Sequence, residues 1–330
     1  MFRNKRIING KTYYYLEHSY RIGKKVNKAY FSISRTKDFQ LDEFVKNNIE
    51  TFQKITHNKV DHIKRHQKYS HFFDYGNQMS SLEENKILFQ LFLNSIDGRI
   101  KDQIISEYLR KFMVNNMAME GGTITYNDAT AIDKSHNLKN LKLEGNLLDM
   151  RLYIQLKKAF TRLAAMRLQN KEQIKELHRI IYDGIYSFAG EFKTVENWFG
   201  GLDRAITASP KDVPLRLNQA IREYLSSRGN VYEFERIIRF HIMYEGVHPF
   251  QDGNSRLGRL IMNYQLFKAG YPPLLYEYKR SSAYRSALAK AVNDPKQNTA
   301  ILKFFYENFS RSVLKFWKPL MEKHIQSSIL

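Results

Sequence analysis

Cysteine is absent from the 330 residues. That excludes a disulfide framework, a thiol nucleophile and a thiolate metal site. Long apolar runs are missing too, and none approaches the ~18–20 residues of a membrane-spanning helix. The basic opening MFRNKRIING lacks the apolar stretch that a signal peptide carries. The expectation is a cytoplasmic protein with no membrane partner. Internal repeats and low-complexity tracts are also lacking. Acidic residues are in deficit, 33 against 53 Lys and Arg, for a net charge of +20. The excess is concentrated in residues 1–37, where ten basic side chains face one acid, Glu17. Such a block attracts anions, either nucleic acid or an acidic partner, although no RNA- or DNA-binding motif accompanies it.

The apolar content suffices for a core. Hydrophobic residues make up 43% of the chain and aromatics 14%, which excludes disorder over its whole length. Residues 5–35 alternate and are rich in Tyr around the turn-like RIGKK, predicting a hairpin or small meander that must pack on the next part of the chain. A helix is predicted over 41–56. From residue 82 the pattern becomes helical, with a first stop at Gly121-Gly122. Over 146–168 the stripe is Leu148, Leu152, Leu156, Phe160 and Leu163. Further helices fit 171–188, 211–227, 231–245, 255–269, 280–292 and 299–325. Between two of them KTVENWFGGLDRAIT reads as a short hairpin or flap.

The densest polar cluster is HPFQDGNSRLGR, from His248 to Arg259, between two apolar helices. Pro249 and Gly253 mark the loop, which ends at a helix N-terminus. There the N–H groups of Gly253, Asn254 and Ser255 lack helical partners and form an anion site with the helix dipole. Arg256 and Arg259 lie three apart and can grip phosphate oxygens from nearly one face. Asp252 supplies a hard oxygen for Mg²⁺, which needs few protein ligands when phosphates and water complete its shell. His248 has the intrinsic basicity to take a proton from a hydroxyl. Singly, these residues are ordinary caps and surface charges. Together they make a set for phosphoryl or nucleotidyl transfer.

HPFQDGNSRLGR resembles the signature loop of the Fic (Fido) domain family, H-P-F-x-(D/E)-G-N-G-R-x-x-R. The likeness extends over about 171–310, through LHRIIYDGIYSFAGEFKTVENWFGG upstream and RSSAYRSALAKAVND and ILKFFYENF downstream. The resemblance implies a mainly α fold: a Fic-type helical bundle with a β-hairpin flap, preceded by a small β-containing unit. The divisions expected are a basic β unit over 1–60, a helical region over 61–150, and the catalytic core with C-terminal helices over 151–330. The activity implied is protein adenylyltransferase, moving AMP from ATP to a Tyr, Ser or Thr hydroxyl of a target protein or of the chain itself. By position, His248 is then the base and Asp252 the Mg²⁺ ligand. Gly253, Asn254 and Ser255 form the phosphate nest. Arg256 neutralises charge toward the leaving pyrophosphate, and Arg259 holds the γ-phosphate. The flap, Val195–Gly200 with Asn197, Trp198, Phe199 and Gly200, clamps the target by strand addition. Tyr284 lines the nucleoside pocket. Ser255 departs from the usual Gly, adding a Cβ to the nest and a hydroxyl that can donate to phosphate.

Upstream, NNMAMEGGTIT resembles the family's inhibitory helix, (S/T)-x-x-x-E-(G/N), with Glu120 and Gly121 fitting and Asn116 in place of Ser/Thr. The implied device is Glu120 pairing with Arg259, which denies that arginine to ATP. This is the class with an N-terminal inhibitory helix, and the resemblance also implies a homodimer. Two other readings stand beside transfer. One is removal of AMP by a water that Glu120 orients. The other is a nucleotide-sensing regulator that binds nucleic acid through its basic N-terminus.

Overall fold

In a computed structural model the chain is described over residues 3–8, 11–33, 40–74, 76–135, 145–200 and 204–329. It is mainly α. The elements run β1 (Arg3–Ile8), β2 (Lys11–Ile22), β3 (Lys25–Ile33), α1 (Leu41–Asn47), α2 (Ile49–His66), α3 (Gln78–Ser95), α4 (Gly98–Ala118), α5 (Tyr126–Lys134), α6 (Leu147–Ala165) and α7 (Lys171–Tyr182). Next come β4 (Trp198–Phe199), β5 (Ala205–Ile206), α8 (Val213–Ser226), α9 (Glu233–Val247), α10 (Asn254–Lys268), α11 (Ser281–Asn293), α12 (Thr299–Ser312) and α13 (Lys318–Ile329). A π-helical turn, Val313–Trp317, stands between the last two. No described helix is long and apolar enough to cross a membrane.

The chain divides into two compact units, residues 1–106 with 267–273 and 309–330, and residues 107–266 with 274–308. The first holds the predicted meander, an antiparallel sheet in the order β1-β2-β3. Gly23, at φ +57°, makes the β2–β3 turn. The sheet packs on α1 and α2. The Phe31 ring lies 4.6 Å from that of Phe52. Asn48 accepts the Ser32 N–H at 2.7 Å and donates to the Ser32 carbonyl at 3.0 Å, closing the strand on the helices. Arg35 and Lys37 of the basic block lie outside the described residues.

The second unit holds the motif-bearing helices. α6 begins with Asn146 accepting the Asp149 N–H. Its buried stripe is Leu152, Leu156, Ala159 and Leu163, whereas Leu148 is 49% exposed and Phe160 only partly covered. α7 stops at Tyr182, six residues short of the sequence expectation. The cause is Gly184, at φ +63° in the turn after Asp183, where an added Cβ would lie 2.2 Å from the Arg151 guanidinium. α5 was not expected; its start is a Thr125–Asp128 capping box in which each side chain accepts the other residue's backbone N–H. The flap forms as an antiparallel pair, Trp198 opposite Ile206 and Phe199 opposite Ala205. Its tip, residues 201–203, lies outside the described residues.

Candidate active site

α9 buries ten of its fifteen residues and delivers the chain to His248, which caps it at φ 47°, ψ 61°. His248 is the one non-glycine residue at positive φ among the described residues. A non-glycine residue held there is strained by roughly 1–2 kcal/mol, and such strain concentrates at functional sites. The loop beyond is laced to itself. Asn254 accepts the Phe250 N–H and donates to the Phe250 carbonyl, both at 2.8 Å. Gly253 stands at φ +80°, and a Cβ there would meet the Tyr182 ring at 2.2 Å. Backbone conformation and space both demand glycine.

α10 starts at Asn254, and its N–H groups at Asn254, Ser255 and Arg256 have no hydrogen-bond acceptor among the described residues. The Gly253 N–H is taken by Asp252 Oδ1 at 2.6 Å. Asp252 Oδ2 accepts the Tyr186 hydroxyl at 2.7 Å. Burial pushes the Asp252 carboxyl up. Hydrogen bonds from Tyr186 and Gly253 and the nearby Arg256 and His178 outweigh that and hold it below the usual carboxylate value. Arg256 donates to the Tyr182 hydroxyl at 3.0 Å. The Ser255 hydroxyl points inward and donates to Glu245 Oε2 at 3.1 Å.

Arg259 is fully buried. Its Nε donates to Asn116 Oδ1 at 2.6 Å and its Nη2 to the Asn116 carbonyl at 3.0 Å. Nη1 lies 2.9 Å from Glu120 Oε1. Asn116 also donates to the Arg256 carbonyl at 3.0 Å, so one amide fastens the end of α4 to two turns of α10. Glu120 falls just past the helix, in a turn where the Gly122 N–H bonds the Met117 carbonyl and Gly121 takes φ +83°. Tyr284 is buried, its hydroxyl 2.8 Å from His241 Nε2 and its ring 5.7 Å from the Arg259 guanidinium.

The flap is tied to the loop through Asn197, which donates to the Phe250 carbonyl at 2.8 Å. Phe199 stacks on His248 with centroids 5.2 Å apart. Trp198 is half exposed under the Arg204 guanidinium, 3.9 Å from its ring, and Gly200 comes next at φ +99°. Asn293 accepts the Ile206 N–H and donates to the Arg204 carbonyl, which covers the outer edge of β5. No described residue pairs with the backbone of Trp198 or Phe199 from outside the hairpin.

Sequence reasoning missed five supporting residues. His178 accepts the Gly190 N–H at Nδ1 and therefore donates from Nε2 to the Asp252 carbonyl at 3.0 Å. Burial lowers its pKa to about 4, so it is neutral at pH 7. Tyr182 and Tyr186 brace Arg256 and Asp252. Lys193, buried at the flap base, donates to Asn197 Oδ1 at 2.5 Å and to Thr207 at 2.9 Å. Its own burial brings its pKa down to about 8. Glu245 stands one turn before His248. A charge on an otherwise apolar helix face was the available signal for it; the others become visible only once α7 and the flap fold onto the loop.

Residues 168–266 match the family model of the Fic/DOC family. The chain is 24% identical over 240 residues to "Protein adenylyltransferase Fic" of Nematostella vectensis, a stretch covering 66% of this chain and 54% of that protein. It is 28% identical over 179 residues to the protein of the same name from Drosophila mojavensis, covering 53% and 31%. The chain thus spans about half the length of the first relative and less of the second. Its fold is similar to that of a Fic-domain-containing signalling protein from Bacteroides thetaiotaomicron, with a TM-score of 0.56 and 20% identity over 74% of this chain and 96% of that one. It is also similar to Fic-1 from C. elegans, with a TM-score of 0.50 and 18% identity over 87% and 83%.

Proposed function

For a chain that carries a Fic/DOC-family domain, we propose that the activity is transfer of AMP from ATP to a hydroxyl side chain of a target protein. The observation that carries this reading is the strained His248, stacked on the flap and joined by a five-residue loop to unpartnered N–H groups at the start of α10. In that frame the unprotonated ring nitrogen of His248 takes the proton of the target hydroxyl. The oxygen attacks the α-phosphorus, its new P–O bond forms, and the bond to pyrophosphate breaks. The α10 N–H groups and Arg256 oppose the charge gathering on phosphate oxygens. Removing the base from such a step costs ~10²–10⁴ in rate.

Asp252 is the solvent-facing carboxylate beside the nest. No described cluster of three or more His, Asp or Glu residues could hold a metal on its own. An ionised carboxylate that reaches solvent and keeps spare lone pairs fits Mg²⁺ when nucleotide and water supply the other ligands. Bound there, Mg²⁺ would offset phosphate charge. The target backbone adds to β4, whose outer edge is the uncovered one.

Wild type is restrained. Arg259, the residue for the γ-phosphate, is held by Glu120 and Asn116. A charge-assisted contact of this kind in a partly buried setting is worth a few kcal/mol. The test is intact-mass spectrometry of Glu120→Gly with ATP and Mg²⁺. The expected result is self-modification by one AMP, abolished when His248→Ala is added. Absence of AMP on Glu120→Gly and on any hydroxyl-bearing target, or labelling that persists without His248, overturns the reading. Incubating wild type with AMP-bearing Glu120→Gly product measures removal, and release of AMP by wild type would favour the hydrolytic alternative.

A further inference from the structure

Glu245 is wholly buried, yet it has no part in the transfer step. Its Oε2 lies 3.4 Å from His248 Nδ1, and no other acceptor among the described residues stands at that nitrogen. The left-handed conformation of His248 at the end of α9 sets the ring beside the residue one turn back. We propose that Glu245 is a positioning residue that keeps the His248 proton on Nδ1, leaving Nε2 as the base. The inference rests on the base role proposed for His248.

Three observations support it. First, Glu245 is an anion and so only accepts. Burial pushes its carboxyl up, but the adjoining His248 ring and the nearby Arg259 guanidinium outweigh that and hold it below the usual value. The ring nitrogen facing a carboxylate must carry the hydrogen. Second, His241, 3.9 Å from Oε1, is no competing partner. Its Nε2 is engaged by Tyr284, and burial lowers its pKa to about 4, so it stays neutral at pH 7. Third, the carboxylate has a fitted slot. A Cβ on Gly258 would come within 2.6 Å of Oε1, and the Ser255 hydroxyl, one turn earlier on α10, donates to Oε2 at 3.1 Å. A 3.4 Å separation closes to an ordinary hydrogen bond with only a small ring rotation. Without that bond the buried Nδ1 would be left unpaired, which folded proteins avoid.

The experiment reads the tautomer directly. Full-length protein is labelled with ¹⁵N-histidine, and long-range ¹⁵N–¹H spectra are recorded at about pH 9, where an ordinary imidazole is neutral. The His248→Ala spectrum assigns the signal. Wild-type His248 is expected protonated at Nδ1. Glu245→Leu, if its melting is cooperative, is expected to move that proton largely to Nε2. In the Glu120→Gly background it should lower kcat ~10–100-fold while KM for ATP stays within about twofold, as for other orienting partners of a histidine. Protonation of wild-type His248 at Nε2 overturns the proposal, as does a folded Glu245→Leu with unchanged tautomer and kcat. If Glu245→Leu does not fold, the wild-type spectrum decides alone. Because the tautomer is read without turnover, a chain that transfers no AMP would count against the proposed function and leave this result standing.

Discussion

At the scale of single residues, the loop from His248 to Arg259 was legible because its chemistry is written in twelve consecutive letters. Polarity around a helix start marked these residues as one cluster before any packing was known. The supports behind the loop were not legible. His178 reaches Asp252 from 74 residues away, and Asn116 reaches Arg259 from 143. Such partners are chosen by how helices pack, and no local spacing encodes that. Ser255 was read as facing phosphate, whereas its hydroxyl turns into the core toward Glu245. Gly253 gives the sharpest residue-level prediction. Gly253→Ala should lower stability by about 2 kcal/mol or more, because the left-handed backbone and the buried Tyr182 ring both oppose a Cβ. A thermal melt should fall by roughly 4–8 °C. His248→Ala should abolish AMP transfer yet leave ATP affinity near wild type in calorimetry, because in the proposed step the imidazole acts on the incoming hydroxyl.

At the scale of elements, helix existence was read well and helix ends less so. α7 stops early at a glycine whose tight turn is a tertiary matter, and α5 was overlooked although Thr125 and Asp128 spell its capping box. The stripe on α6 kept its period but changed members, because Ala159 faces the core where Phe160 was expected. The end of α4 yields an element-level prediction. Glu120→Gly removes one hold on Arg259, and Asn116 keeps two more. Autolabelling in Glu120→Gly/Asn116→Ala should therefore exceed that of Glu120→Gly by roughly 3–10-fold, since one buried hydrogen bond is worth ~1 kcal/mol. Adding Arg259→Ala should erase both gains. The flap gives another. Asn197→Ala cuts the tether to Phe250 and leaves Lys193 short of an acceptor. Transfer to a target should fall while nucleotide affinity, measured separately, is retained.

At the scale of the whole molecule, three buried histidines set the acid limit. Burial lowers His18, His178 and His241 each to about 4 from an ordinary 6.5. The unfolded chain therefore binds more protons between pH 6.5 and 4, and stability falls as pH drops through that window. At pH 5 each site removes up to about 2 kcal/mol relative to pH 7. Urea midpoints should decline steadily over this range, and His178→Gln should flatten the slope by about a third if it folds as well at pH 7. Asn293 has a different reach. By occupying one side of the two-stranded hairpin it leaves β4 as the uncovered edge among the described residues. The hairpin is thereby monovalent. In the strand addition proposed above, one extended peptide fills β4 and no second described edge of the hairpin is left for another strand, so hairpin-to-hairpin joining would end at a pair and not grow into a fibre.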